Sequence, residues 1–145
     1  MRLVTIWTGH AGHIWCLEFT PDGKGMFCGS TDGILKYWDV SSLGDKDPEE
    51  IRRFVGNTVR VLAVSFCLFG LACLEFPSIF REHSRWVLTS TDDRNVRLWD
   101  TELDDWVLNL RGHTDVVTDV GVSRTEDYLA TASGHMVTIW KYDVL

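Results

Sequence analysis

Short apolar-rich runs, broken by polar clusters, set the rhythm of this chain, and they predict strands. In the first third, HIWCLEF, GMFCGS and ILKYWDV read as three successive strands. Between them, Phe19-Thr20-Pro21-Asp22-Gly23 and Asp32-Gly33 read as β-turns. In such turns an Asp side chain caps the backbone and Gly supplies positive φ. One stretch departs from the rhythm. Between Arg60 and Glu75 lie 14 consecutive apolar or small residues, VLAVSFCLFGLACL. A spanning helix needs about 20 such residues, so a run of this length reads as buried core and no membrane contact is expected.

The strand-and-turn unit recurs three times in one register. The first copy runs from Gly9-His10 through Phe19 to Trp38-Asp39, and the second from Gly56-Asn57 through Phe66 to Trp99-Asp100. The third runs from Gly112-His113 through Val122 to Trp140-Lys141. In each, the middle anchor stands ten residues after the glycine; from anchor to tryptophan the steps are 19, 33 and 18. The second copy is therefore 14 residues too long, and removing Cys67–Phe80 (CLFGLACLEFPSIF) restores its register. This segment reads as an apolar insertion, because ordinary loops run over the surface and are polar. Ser41–Glu50 (SSLGDKDPEE) reads as a polar loop between units. Repeats near 40 residues with Gly-His and Trp-Asp signatures are the mark of propeller blades, each a four-stranded antiparallel sheet. The expected architecture is all-β: a partial β-propeller of about three blades. Leu3–Trp7 is expected to be an outer strand, followed by repeats 9–55, 56–111 (carrying 67–80) and 112–145. Three blades do not comfortably close a ring, so self-association through open edges is expected.

Composition narrows the functions. The 145 residues carry a net charge of −7, and the longest basic run is Arg52-Arg53, so direct nucleic-acid binding is not expected. The four cysteines form no C-x-x-C pair, and no metal or other cofactor is expected. The opening MRLVTIWTGH has no sustained apolar region of a secretory signal, which leaves an intracellular protein with reduced thiols. A hydrolase would need a nucleophile elbow of the G-x-S-x-G kind or an equivalent exposed hydroxyl beside a base, and the sequence shows neither, so no enzyme is expected.

With these signatures the chain resembles the WD-repeat family over nearly its whole length. FTPDGKG…GSTDGILKYWDV, RWVLTSTDDRNVRLWD and ATASGHMVTIWKY are most similar to the C-terminal blades of fungal Tup/Groucho-type transcriptional corepressors. The resemblance implies a buried structural tetrad in each blade: the loop His, a turn Asp, a second-strand Ser/Thr and the third-strand Trp. Carried over, the first blade has His10, Asp32 and Trp38, with Cys28 in place of the hydroxyl. The second has Thr89, Asp93 and Trp99, with Asn57 where the His would be. The third has His113, Thr131 and Trp140, while Gly134-His135 fills a turn one residue shorter and without the Asp.

The resemblance also implies partner contacts three and five residues after the His, and just before the turn Asp. These positions are His13, Trp15 and Thr31; Arg60, Leu62 and Asp92; Val116 and Thr118. Trp15 has an alternative place, packed between blades. The implied function is a protein-binding scaffold, a truncated corepressor propeller that meets DNA-associated regulators in the nucleus. The alternative is a WD subunit of another assembly, such as a ubiquitin-ligase substrate receptor or an RNA-processing factor.

Overall fold

A computed structural model describes residues 2–57, 59–67, 86–101, 103, 105–123 and 128–141. Eleven strands form three antiparallel sheets, and no helix occurs among the described residues. The first sheet orders β1 (Ile14–Phe19), β2 (Gly25–Ser30), β3 (Ile34–Asp39) and β4 (Glu49–Val55). The second orders β5 (Val61–Cys67), β6 (Trp86–Thr91), β7 (Val96–Asp100) and β8 (Asp105–Leu110). The third has β9 (Val117–Val122), β10 (Tyr128–Ser133) and β11 (Met136–Lys141). Each is a meander of neighbouring strands, as the recurrent turn chemistry dictates. The architecture is that of a partial β-propeller of about three blades.

The middle strands are buried on both faces because sheets stack on one another. Phe27, Leu35 and Phe54 of the first sheet meet Val64, Val87 and Trp99 of the second. On the other side, Trp86, Leu88, Val96 and Leu98 meet Val117, Val120 and Leu129 of the third. Burying such side chains contributes about 1.5–3 kcal/mol each, so the two junctions dominate the energetics.

Register locates the extra residues of the second repeat. Phe19 pairs with Met26, and Val122 with Leu129, in each case a partner seven positions on. Phe66 pairs with Val87, which is 21 positions on, so the excess of 14 falls in the β5–β6 connection. Cys67 closes β5 opposite Trp86; the rest of the expected insertion, 68–80, lies outside the described residues.

Two expectations are corrected. Leu3–Trp7 forms no strand, and Leu3, Val4 and Ile6 are exposed. A strand requires a hydrogen-bonding neighbour, and no strand among the described residues pairs with this segment. The polar loop after β3 ends earlier than expected, since Glu49 and Glu50 belong to β4. Glu50 is drawn into the sheet by Lys36 of β3, 2.7 Å away, and by Arg53 at 2.6 Å.

Candidate functional site

The first blade brings its expected polar group together around a sulfur. The Trp38 indole N–H donates to Cys28 Sγ at 3.0 Å. His10 Nε2 lies 3.1 Å from the same sulfur, and its Nδ1 lies 3.0 Å from Asp32 Oδ2. One hydrogen-bonding sense satisfies all of them: indole to sulfur, thiol to imidazole, imidazole to carboxylate. The order thiol, imidazole, carboxylate is also that of a nucleophilic triad. Here the thiol is enclosed in a buried cluster with Met26, Trp38 and Val40, and burial pushes its pKa above the ordinary 9.0 despite the Trp38 N–H and nearby Lys36. A protonated, enclosed thiol is a poor nucleophile. The arrangement ties the loop before β1 to β2, β3 and their turn.

In the second blade the expected group is split in two. Trp99 N–H donates to Thr89 Oγ1 at 2.8 Å, deep in the core. Asp93, however, bonds Arg97 Nη2 at 2.5 Å and accepts from the Thr91 hydroxyl and the Asn95 amide. Burial alone would raise the Asp93 pKa, but these donors outweigh it and hold it at about 2. Asn57 accepts from Arg97 at 3.3 Å. Asn57 therefore meets Asp93 only through Arg97, which reaches from β7 to both. The sequence resemblance did not single out Arg97. In the third blade Trp140 N–H donates to Thr131 at 2.9 Å, and His113 Nε2 lies 3.3 Å from the same hydroxyl. The turn beyond is a two-residue hairpin with Gly134 at φ +58, and it contains no carboxylate.

The opening glycines are explained by the same tryptophans. A Cβ on Gly9 would stand 3.2 Å from the Trp38 ring, and one on Gly56 would stand 3.1 Å from Trp99.

The expected partner-contact residues gather at one end of the sheets, and their backbone shares a device. In β1 the register slips between Ile14 and Cys16, which leaves Trp15 as the extra residue of a β-bulge. In β5 it slips between Val61 and Ala63, leaving Leu62. In the β9–β10 ladder, Ala132 pairs with Asp119 and Ser133 with Val117, leaving Thr118. Bulges re-aim a side chain and end regular pairing, and they recur at functional rims. Their signal was present in the spacing: Ile14/Leu17, Val61/Val64 and Val117/Val120 share a face although three residues separate each pair. A regular strand would need two.

Around the bulges, equivalent residues pair through different atoms, a backbone amide in the first blade and a guanidinium in the second. His13 N–H donates to Thr31 Oγ1 at 2.9 Å, while Arg60 Nε donates to Asp92 Oδ2 at 2.6 Å. Val116 is half-buried, and Thr118 donates to the Ala132 carbonyl at 3.4 Å. Neighbouring blades join at this end: Arg94 Nη1 reaches the Thr114 carbonyl at 3.4 Å, and Gly33 faces the Asn57 carbonyl. Trp15 is 57% exposed. Leu62 is half-buried, and His13 and Arg60 are exposed. No group of three or more potential metal ligands occurs among the described residues, and no described helix is long and apolar enough to cross a membrane.

Comparison with known proteins agrees with this geometry. "Protein tipD" of Dictyostelium discoideum is 29% identical over 74% of the chain, which corresponds to 14% of that protein. "Anaphase-promoting complex subunit cdc20" of the same organism is 25% identical over 96% of the chain and 26% of its own length. "Pre-mRNA-processing factor 19" of Oryza sativa subsp. japonica is 24% identical over 92% of the chain and 31% of its own length. The chain thus spans less than a third of each of these three relatives. The family described as "WD domain, G-beta repeat" matches residues 1–39, 48–100 and 105–141; the second and third matches each begin with the fourth strand of one sheet and end with the third strand of the next. The chain therefore belongs to the WD domain, G-beta repeat family.

Proposed function

We propose that this chain docks protein segments on the bulged end of its sheets, and that those segments belong to DNA-bound transcriptional regulators. The observation that carries the reading is the exposure of Trp15 at a β-bulge, on the blade next to Arg60. An aromatic ring and a guanidinium are the side chains that most often dominate interface energetics. Trp15 brings area with few rotamers to freeze, and its indole N–H can still find a rim partner. Arg60 and Asp92 present a paired charge of both signs, which suits a partner segment that exchanges one ion pair for another. The net charge of −7 favours contact with the protein component of a chromatin-bound complex over contact with DNA phosphates. The corepressor part of the reading rests on the three stretches FTPDGKG…, RWVLTSTDD… and ATASGHMV…, and it implies action in the nucleus. A second reading, a subunit of another assembly, draws on the relatives whose names place them in the anaphase-promoting complex and in pre-mRNA processing.

The test is a titration of wild type and Trp15→Ala against peptides from transcriptional regulators, with circular dichroism on both. Trp15→Ala should weaken binding by about 2 kcal/mol or more, the usual hot-spot threshold, and leave the fold intact. Equal binding by both proteins would remove the site. Failure of every regulator peptide, with capture of other complex subunits through Trp15, would shift the function to the second reading.

A further inference from the structure

The two outward faces of the sheet stack match the two halves of its internal junctions. At the first junction, Val61, Val64 and Trp99 of the second blade are buried under the first blade. The matching residues of the first blade, Ile14 and Leu17, are 50% and 56% exposed, and with Ile6, Trp7 and Met26 they line an apolar cleft. At the second junction, Val96 and Leu98 of β7 are buried against the third blade. Their counterparts in β11, Val137 and Ile139, are 70% and 60% exposed.

The fourth strand completes each junction. Phe54 of β4, opposite Leu35, sets its ring edge-on to Trp99 of the next blade at 5.9 Å and 64°. Trp7 meets Trp38 at 6.0 Å and 64°. Trp7, Phe54 and Leu110 each stand two residues ahead of their blade's opening glycine. Residues 3–7 therefore lie where the fourth strand of a preceding blade lies, and no strand among the described residues pairs with them. Conversely, β11 has no outer neighbour among the described residues.

We infer that residues 3–7 of one copy add to the β11 edge of a second copy, and reciprocally, so that two chains close a ring of six sheets. The internal register fixes the pairing: Leu35 opposite Phe54 and Val96 opposite Leu110 place Val137 opposite Trp7, and Thr138 opposite Ile6. A second copy is the occupant because each free face is the complement of one that this chain already buries twice. Strand addition supplies main-chain hydrogen bonds to an edge that would otherwise invite unspecific pairing. Reciprocal pairing about a twofold axis closes the assembly, and six sheets fall within the range of known propellers.

Sedimentation equilibrium of the 145-residue chain should give a dimer. Val137→Lys, at a position exposed in a single copy, should weaken self-association at least roughly a hundredfold, because the interface would bury an unpaired charge. Its circular dichroism should remain that of the folded three-sheet chain. Chains carrying Ile6→Cys, mixed with chains carrying Thr138→Cys and oxidised, should yield a disulfide-linked pair that neither yields alone. A monomeric wild type, or a dimer indifferent to Val137→Lys that forms no such crosslink, overturns the inference. A ladder of larger species carrying the crosslink overturns the closed ring. None of these readouts depends on Trp15 or on a regulator peptide.

Discussion

Replacing Thr89 with Val tests the polar core of the central blade. The two side chains have nearly the same shape, so packing survives while the acceptor for the Trp99 indole N–H is removed. Both residues are 0% exposed, and their bond is 2.8 Å, so no water can take the place of the lost hydroxyl. Leaving a buried donor unpaired costs about 1–3 kcal/mol, and the enclosure of this site places Thr89→Val at about 2–3. Valine's slightly better strand fit offsets only tenths of that. Thr131→Val is the internal control. Trp140 and His113 are only half-buried, so their freed groups can turn to water, and the cost falls to about 1 kcal/mol. A chain of this size loses about 2–4 °C of Tm per kcal/mol. Thr89→Val should therefore melt roughly 4–12 °C below wild type and Thr131→Val roughly 2–4 °C below. Circular dichroism melts at one fixed protein concentration give the comparison, since association would make Tm concentration-dependent. If Thr89→Val melts with wild type, or above Thr131→Val, the buried-donor reasoning is wrong.

Cys28→Thr should raise stability by about 0.5–1 kcal/mol, by giving Trp38 and His10 an oxygen in place of a weaker sulfur partner; a lower Tm would count against it. The Asp93 pKa is depressed, from 3.8 to about 2, so the stability it contributes is present above about pH 4 and is lost as pH falls toward 2. Asp93→Asn should flatten that part of an acid titration followed by tryptophan fluorescence, and an unchanged profile would exclude the Arg97 pairing as its origin. Deleting Cys67–Phe80 brings Phe66 and Val87 to the seven-position separation of the other two blades. It should raise soluble yield and sharpen melting, and a less soluble product would show that the segment belongs to the fold.

The repeat was legible because its markers are steric and polar necessities rather than propensities. Gly9 and Gly56 make room for a tryptophan ring, and Trp38, Trp99 and Trp140 need acceptors that Cys28, Thr89 and Thr131 provide. What escaped the reading involves groups that substitute for one another across the fold. Arg97 stands four residues after Asp93, where the first blade has Lys36 after Asp32, and its pairing with that carboxylate depends on the turn that folds β7 back, which composition alone does not show. Arg94 holds φ 68 where the first blade has Gly33 at φ 76, a conformation fixed by the turn rather than by the residue. Leu3–Trp7 has the apolar content of a strand and still forms none, because a ladder depends on a neighbour that the local sequence does not specify. The bulges that set Trp15, Leu62 and Thr118 apart were encoded in the three-residue apolar spacing, which a search for strict alternation passes over.

Docking of partners on the bulged end can be read out by footprinting a captured complex. Side chains of the free and partner-bound chain would be oxidatively labelled and compared by mass spectrometry. Docking there should concentrate protection at Trp15, with His13 and the Arg60–Asp92 region following it, and give none at the opposite turn of Thr20–Gly25. Protection at that turn with Trp15 still fully labelled would contradict it.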